Sequence, residues 1–233
     1  MQDFSQMTIE ITIDNLMGKS DSHLEEVEGL EPHKMFPAAK EAFLKMREAA
    51  AFDGIDIAIA SSFRPYERQL AIWNEKYMGD RVVLDNHDRP VNISHLTGVE
   101  ACYAILYWSA LPGLSRHHWG TDIDVWSPKM AGEGYDLKLI GAEYAKDGPF
   151  APLTEWLDAN QEKFGFYRPF TDDAKVLVGS EPWHLSHRES AQLFEKLITK
   201  EIISDAICNN PLAGKSCLRG MIDELFESYI VHA

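Results

Sequence analysis

The chain has 233 residues and carries 37 acidic against 22 basic side chains, which gives a formal net charge of −15. This charge disfavours binding to nucleic acid or to an anionic membrane through bulk electrostatics, so we expect neither as a partner. Apolar residues make up 45% of the sequence and aromatic residues 11%, as in a globular protein. The length suits a single domain with a sizeable core.

The expected compartment follows from the N-terminus, the apolar runs and the cysteines. The segment MQDFSQMTIEITIDN has no basic stretch followed by an apolar run, so it does not resemble a secretory signal. The longest apolar run, roughly residues 101–111, is too short for a membrane span of ~20 residues. We therefore expect a cytoplasmic protein. Cys102, Cys208 and Cys217 lack a Cys-x-x-Cys spacing and are expected as reduced thiols, with a Cys208–Cys217 disulfide as the alternative.

The first third of the chain predicts a strand, a loop, a helix, a second strand and a second helix. Apolar and polar residues alternate over 7–13, which predicts a half-buried strand. The acidic stretch 20–31 is typical of a loop, and we expect His23 and His33 at the surface. Residues 37–52 predict a helix because they begin at a proline and end before a glycine. Alternation over 55–59 predicts a strand that leads into Ser61–Arg64, and a helix is expected from about residue 65 to residue 77.

The remaining elements are predicted by the same patterns. Residues 78–97 are rich in Asp, Asn, Gly and Pro and predict a long loop beside a functional site. In the stretch GTDIDVW, residues 120–126, Asp122 and Asp124 share one face of a strand while Ile123 and Val125 share the other. The other predictions are a buried helix over 98–111, a loop over 127–134, a helix over 153–164, an aromatic cluster at 166, 167 and 170, a strand within 176–187, and amphipathic helices over 188–207 and 218–231.

Three residues have the chemistry of a catalytic metal site. His117 and Asp124 stand seven apart with Gly120 between them, and a turn there would bring both side chains to one cation. His184 would supply a third ligand, and three N/O ligands leave one tetrahedral position open for water, as in catalytic zinc sites. Glu181, three residues before His184, is then a candidate base. Strict alternation would place Glu181 and His184 on opposite faces, so we expect a twist or bulge near Pro182.

Three motifs in order resemble those of the VanY-like D-alanyl-D-alanine carboxypeptidases, a zinc peptidase family in the group that includes lysostaphin and the hedgehog domain. SRHHWGTDID, from Ser115, is similar to that family's S-x-H-x-x-G-x-x-x-D motif, and EPWH, from Glu181, to its E-x-W-H motif. SSFRPYERQ, from Ser61, resembles its S-G-Y-R-S-x-x-x-Q segment.

The resemblance implies roles for individual residues. Zinc would be held by His117, Asp124 and His184, with Glu181 as the base. Arg64 would bind the substrate at the scissile carbonyl or at its terminal carboxylate, which suits the fixed charge and planar fork of a guanidinium. The resemblance also places Ser61, Gln69 and Ser115 in the substrate pocket, and Trp183 is a further candidate for binding substrate. His118 is the alternative ligand to His117, although the motif favours His117.

Two positions depart from the family pattern, and several roles remain open. Ser62 replaces a frequent glycine, and Asp122 stands where the family usually has a small residue. Asp122 would orient His117 or His118, or alter the choice of substrate. Trp119 and Trp183 would be core residues or cleft walls, and His187 would support or line the pocket. The C-terminal helices would pack on the domain or form an oligomer contact, and the oligomeric state is open.

The resemblance implies an α+β fold in which helices cover a small, mainly antiparallel sheet that carries zinc. We expect one zinc peptidase domain over 1–233, with a motif-bearing core at about 36–187 and a helical extension at about 188–233. The expected activity is removal of a C-terminal D-alanine from a peptidoglycan-derived peptide. The expected location favours L,D-cleavage of tetrapeptides over D,D-cleavage of D-Ala-D-Ala termini. The alternatives are an endopeptidase of the same metal class and a zinc-binding module without catalysis.

Overall fold

The structure is a computed structural model that describes residues 10–171 and 178–227. The strands in these ranges are β1 (Glu25–Glu26), β2 (Lys34–Met35), β3 (Ala58–Ser61), β4 (Val83–Leu84), β5 (Pro90–Val91), β6 (Asp122–Trp126), β7 (Phe166–Tyr167) and β8 (His184–His187). The helices are α1 (Ile13–Leu16), α2 (Pro37–Phe52), α3 (Tyr66–Met78), α4 (Gly98–Leu106), α5 (Pro128–Ala131), α6 (Gly141–Tyr144), α7 (Ala151–Asn160), α8 (Arg188–Glu195), α9 (Lys200–Cys208), α10 (Lys215–Leu218) and α11 (Ile222–Leu225). Short 3₁₀ turns lie at Ile93–His95, Arg116–His118, Gln161–Phe164 and Arg219–Met221.

An antiparallel sheet with the strand order β3-β6-β8-β7 forms the centre of the fold. In its register Asp124 lies opposite both Ser61 of β3 and His184 of β8. Residues directly opposite each other in an antiparallel pair point to the same face. One face of β6 and β8 is therefore polar, whereas Ile123 and Leu185 pair on the other face and are fully buried.

The helices that flank the sheet begin and end where local sequence signals place them. Pro37 opens α2 as its first residue, and Thr97 closes a capping box with Glu100 at the start of α4. Gly79 ends α3 in the left-handed conformation, which glycine adopts without a Cβ penalty. The predicted α+β fold, with helices around a small antiparallel sheet, is confirmed.

The C-terminal helices pack against α3 and α4. The Trp73 indole of α3 donates a hydrogen bond to the carbonyl of Ala213, and the Tyr103 hydroxyl of α4 donates to Glu224. Leu218 and Leu225 are buried in this contact. The last described helices thus belong to the same packed core as the sheet.

Several predictions near the N-terminus are wrong. Residues 10–12 form no strand, and α1 begins at Ile13 because the Thr12 side chain caps it in a box with Asn15; residues 7–9 lie outside the described ranges. His23 is buried rather than exposed, and its ring packs against Phe36 and Phe194. His33 is half-buried, and its ring hydrogen-bonds the Ser62 hydroxyl at 3.1 Å.

Other predicted elements differ in extent. The loop over 78–97 contains the β4–β5 hairpin, and the loop over 127–134 contains α5. Helix α4 ends at Leu106, five residues earlier than predicted. The single helix expected over 188–207 is two helices, because the Thr199 hydroxyl caps a new start at α9. The helix expected over 218–231 is split among α10, a 3₁₀ turn and α11, and residues 228–231 lie outside the described ranges.

Two further expectations concern cysteines and membranes. Cys102, Cys208 and Cys217 are all free thiols, so the alternative disulfide is not formed. Among the described helices none combines the length and the apolar character that crossing a bilayer requires.

Candidate metal centre and active site

Three buried side chains converge from three separate elements. His117 comes from the 3₁₀ turn before β6, Asp124 from the middle of β6, and His184 from the first position of β8. One potential ligand atom from each lies within 4.8 Å of the other two. The His117 Nε2 atom is 3.3 Å from one Asp124 oxygen, and the His184 Nδ1 atom is 3.2 Å from the other. The cross-strand pairing of Asp124 with His184 brings these two side chains together.

The second nitrogen of each histidine has a hydrogen-bond partner that fixes the ring. His117 Nδ1 lies 2.9 Å from the Ser62 carbonyl oxygen, which can only accept, so Nδ1 carries the proton and Nε2 has a free lone pair. His184 Nε2 lies 2.9 Å from Asp122 Oδ1 and donates to it, which leaves Nδ1 facing Asp124 and Glu181. Metal-binding histidines are typically oriented in this way.

The donor set fits a zinc ion. The buried Asp124 Oδ1 atom has no hydrogen-bond partner among the described residues, although His184 Nδ1 is close to it. An unpaired buried carboxylate oxygen close to two imidazole nitrogens is an arrangement that a bound cation would satisfy. Burial would raise the pKa of Asp124, but His117 and His184 hold it well below its usual range, so the carboxylate is ionised. Two imidazoles and a carboxylate with an open fourth position are typical of catalytic zinc.

Asp122 anchors His184, and not His117 or His118 as expected from the sequence. It is fully buried and receives hydrogen bonds from Arg116 Nε at 2.8 Å and from the Thr121 hydroxyl at 2.6 Å, in addition to His184. Burial would raise the pKa of Asp122, but Arg116 and His184 hold it well below its usual range. An ionised, immobile carboxylate is thus fixed behind the His184 ring.

Arg116 is a site residue that sequence reasoning missed. Its guanidinium is buried and donates to Asp122, Glu195, Tyr167 and Ser186. Coulombic attraction to Asp122 outweighs burial and raises its pKa. Arg116 lies between Ser115 and His117, at a position that is variable in the family motif. The one sequence signal for a role is a charged residue within a stretch otherwise expected to be buried.

Arg64 is held by side chains and backbone beside His117, Asp124 and His184, which we call the ligand cluster. Its guanidinium donates to Gln69 Oε1 at 3.0 Å and to the Ser61 hydroxyl at 3.1 Å, and it lies 3.9 Å from Asp124. Gln69 is itself fixed by a bond of 2.7 Å to the Ala110 carbonyl. Ser61 and Gln69 therefore position Arg64, and neither is among the residues that line the cavity, whereas Ser115 does line it.

His118 bonds the Arg64 backbone and is not one of the three grouped side chains. Its Nδ1–H donates to the Arg64 carbonyl at 2.6 Å, and its Nε2 accepts from the Gly113 amide at 3.0 Å. Burial lowers the pKa of His118 to about 3, so the ring is neutral. Because the Arg64 amide also donates to the His117 carbonyl, adjacent histidines hold both ends of this residue.

Glu181 and His184 meet through a turn. The His184 amide donates to the Glu181 carbonyl at 3.1 Å, and β8 begins only at His184, so the alternation expected across residues 181–186 does not apply. The turn puts Glu181 Oε2 3.3 Å from His184 Nδ1. The expected irregularity near Pro182 is this turn, and it places a carboxylate beside the ligand cluster.

The cluster opens into a cavity of about 340 Å³. The described lining residues include Arg64, Lys76, Trp108, Ser115, Glu181 and Trp183. Trp183 stacks on Trp108 with ring centroids 6.3 Å apart, so Trp183 is a cavity wall. Trp119 instead stacks on Phe194 in the core, and His187 bonds the Ser190 hydroxyl on the other face of β8.

Comparison with known proteins identifies the family. The profile of the VanY family, described as D-alanyl-D-alanine carboxypeptidase, matches residues 32–190. The chain belongs to this family. An uncharacterised protein of Haemophilus influenzae is similar, with 37% identity over 118 residues, which is 50% of this chain and 90% of that protein.

Two solved VanY structures share the fold. VanYB in complex with D-alanine-D-alanine has a TM-score of 0.53 and 22% identity, and the match covers 76% of this chain and 85% of that one. A mutant of the D,D-pentapeptidase VanY from a VanB-type resistance cassette, in complex with Zn(II), has a TM-score of 0.51 and 20% identity, over 84% and 88% of the two chains.

Proposed function

We propose that this VanY-family protein is a zinc-dependent carboxypeptidase that removes a C-terminal D-alanine from peptidoglycan-derived peptides. The observation that carries the proposal is the convergence of His117, Asp124 and His184 on one point, with the Glu181 carboxylate beside it, in a cavity that Arg64 also lines. A site that only holds a fold together needs neither a neighbouring carboxylate outside the ligand set nor an arginine. The family description and the D-alanine-D-alanine ligand of VanYB support the substrate class.

The proposed roles follow from the contacts. His117 Nε2, His184 Nδ1 and the Asp124 carboxylate would hold zinc, which when bound polarises a carbonyl and makes water more acidic. Glu181 takes a proton from the attacking water on its carboxylate and returns it to the leaving amine. Arg64, immobilised by Ser61 and Gln69, stabilises negative charge that develops on the scissile carbonyl oxygen.

The bond cleaved is a finer part of the proposal. The family description and the VanYB ligand support the D,D bond of a pentapeptide. The sequence analysis instead expects cleavage of the L,D bond between the diamino acid and D-alanine of a tetrapeptide. We adopt the L,D bond as the hypothesis, and it is wrong if D-alanine is released faster from the pentapeptide than from the tetrapeptide.

The test measures D-alanine release by mass spectrometry from matched tetrapeptide and pentapeptide. The zinc-loaded protein is compared with chelated protein and with Glu181→Gln. We expect loss of one alanine only with the loaded wild type, and a decrease of at least ~10²-fold for Glu181→Gln, since general acid–base catalysis contributes 10²–10⁴-fold. Zinc content of the variant should be unchanged. Zinc binding without release from either peptide would reject the carboxypeptidase, and cleavage of amidated or cross-linked peptides would then indicate an endopeptidase.

A further inference from the structure

The cavity is lined by a lysine that has no acidic partner among residues 10–171 and 178–227. Five cationic side chains line it, namely Arg64, Lys76, Arg81, Arg116 and Lys138. Four of them lie within 4.0 Å of a carboxylate: Arg64 of Asp124, Arg81 of Glu75, Arg116 of Asp122 and Glu195, and Lys138 of Asp136. Within the described ranges, Lys76 has no such carboxylate, and its ammonium donates to the neutral Ser109 hydroxyl at 2.6 Å.

Burial makes the charged form of Lys76 energetically unfavourable, because none of the described carboxylates pairs with it. It is half-buried, and burial together with the charges of Arg81 and Arg64 lowers its pKa to about 8, with Glu181 opposing the change. A partly desolvated ammonium beside two guanidiniums gains free energy from any anion that enters the cavity. The cavity is thus prepared for a negatively charged group near Lys76.

The Arg64 guanidinium is held in place beside the ligand cluster. Two of its guanidinium nitrogens bond Gln69 and Ser61, and the group faces Asp124. Gln69, Ile72 and Lys76 stand at positions i, i+3 and i+7 of α3, so they share one face of this helix. Lys76 therefore lies about two turns, or ~10 Å, along α3 from the residue that anchors Arg64. Arg64 and Lys76 therefore line the cavity from separate points, with Arg64 beside the ligand cluster.

We propose that Lys76, supported by Ser109, binds the C-terminal carboxylate of the substrate, while Arg64 acts on the scissile carbonyl. This division of roles rests on the proposed carboxypeptidase function. The scissile carbonyl and the terminal carboxylate of the leaving residue are one residue apart, ~3.6 Å along an extended chain. A lysine suits the outer position because its ammonium is a point charge on a flexible stem and can adapt to a carboxylate. A free carboxylate at this position would also distinguish a chain end from a peptide interior.

The test compares peptides that end in D-alanine with the same peptides ending in D-alaninamide. Dissociation constants are measured by calorimetry in the Glu181→Gln background, so that binding is read without turnover, and KM and kcat are measured with active enzyme. The variants are Lys76→Met, which keeps the length and removes the charge, and Lys76→Arg, which keeps the charge. Lys45→Met is the matched control, because Lys45 is an exposed lysine of α2 outside the cavity.

We expect the Glu181→Gln protein to bind the acid ~10- to 100-fold more tightly than the amide, in the range of a hydrogen bond to a charged group. Lys76→Met should abolish this preference by weakening the binding of the free acid while leaving that of the amide unchanged. In the active enzyme the same substitution should raise the KM for the free-acid peptide, with a smaller change in kcat. Lys76→Arg should retain most of the preference, and Lys45→Met all of it. Equal binding of acid and amide before any change at Lys76 would overturn the proposal, as would a preference that survives Lys76→Met.

Two more results separate this proposal from the proposed function. The first concerns peptides in which lysine replaces diaminopimelate and so removes a side-chain carboxylate. If Lys76→Met weakens binding of the diaminopimelate peptide but not of the lysine peptide, Lys76 binds that side-chain carboxylate and the terminal carboxylate assignment is wrong. If zinc-loaded wild type releases no D-alanine but the acid preference in binding depends on Lys76, the carboxylate subsite stands and the carboxypeptidase function fails.

Discussion

Replacement of Asp122 by asparagine tests whether a buried carboxylate behind His184 controls metal binding. Asp122 Oδ1 accepts from His184 Nε2 at 2.9 Å and from Arg116 Nε at 2.8 Å, whereas Oδ2 accepts from the hydroxyls of Thr121 and Ser186. An asparagine of the same shape can keep its oxygen towards His184. Its amide then faces the two hydroxyls, which can rotate and accept. The substitution therefore removes the negative charge with little change in packing.

The magnitude has a metal part and a folding part. Loss of a group that orients a metal-bound histidine typically lowers metal affinity ~10- to 100-fold, equivalent to ~1.4–2.7 kcal/mol. Removal of one partner from a buried ion pair costs ~3–5 kcal/mol when the other charge is left alone. Arg116 retains Glu195, Tyr167 and Ser186, so we expect a smaller destabilisation of the metal-free protein.

The assay is zinc affinity by competition with a chelator, together with urea unfolding of the metal-free protein. Glu195→Gln is the matched control: it removes the other carboxylate from Arg116, at 2.8 Å, without touching His184. Asp122→Asn should lower both stability and zinc affinity, whereas Glu195→Gln should lower stability only. Unchanged zinc affinity in Asp122→Asn, or an equal loss in Glu195→Gln, would refute the role given to Asp122.

Two other predictions concern the site. Gly120 has a φ of +70°, and a Cβ there would lie 2.4 Å from Leu24 Cδ2 and 3.1 Å from the Phe36 amide nitrogen. Gly120→Ala should therefore lower the free energy of unfolding by at least ~1–2 kcal/mol. In a thermal melt the Tm should fall by at least ~2–8 °C, and an unchanged Tm would contradict this prediction. Because the pKa of Lys76 is lowered to about 8, mainly by burial and by Arg81 and Arg64, its charge is present below that pH and lost above it. Glu181→Gln removes a charge that raises the pKa of Lys76, so in that background the titration should fall below the wild-type value of about 8. The dissociation constant of the free-acid peptide should rise as pH increases through this range, while that of the amide stays level; a persistent rise in Lys76→Arg would assign the titration to another group.

The sequence predicts elements best where the signal is local. Helix α2 has the predicted bounds because a proline opens it and an Asp-Gly pair follows it, and α3 agrees to within one residue at each end. The residues 10–13 show the opposite case. The alternation over 7–13 predicts a strand, but the Thr12–Asn15 capping box starts a helix at Ile13, and none of the described strands pairs with residues 10–13. Alternation identifies a strand only when a neighbour completes the ladder.

The ligand cluster was predicted because its residue types and spacing are distinctive, while the surrounding contacts were not. The geometry brings His117, Asp124 and His184 together, in agreement with the sequence hypothesis, and their metal-binding role remains a proposal. The target of Asp122 could not be predicted, since it depends on the β6–β8 register, which pairs Asp124 with His184 and Asp122 with Ser186. Lys76 could not be predicted, because its proposed role depends on its place in the cavity and on having no carboxylate partner among the described residues, and both depend on the folded structure.

The departure from the family pattern at Asp122 is best understood together with Arg116. Asp122 and Asp124 stand two positions apart on one face of β6, so a single strand supplies both a candidate ligand and the carboxylate that orients another. Two buried carboxylates so close would repel each other, and the Arg116 charge compensates for Asp122, the one that is not a candidate ligand. Conversely, a small residue in place of Asp122 would leave the buried Arg116 with Glu195 as its remaining carboxylate partner. Arg116 and Asp122 therefore act together: the arginine offsets the negative charge of Asp122, and Asp122, which does not line the cavity, fixes the His184 ring through Nε2.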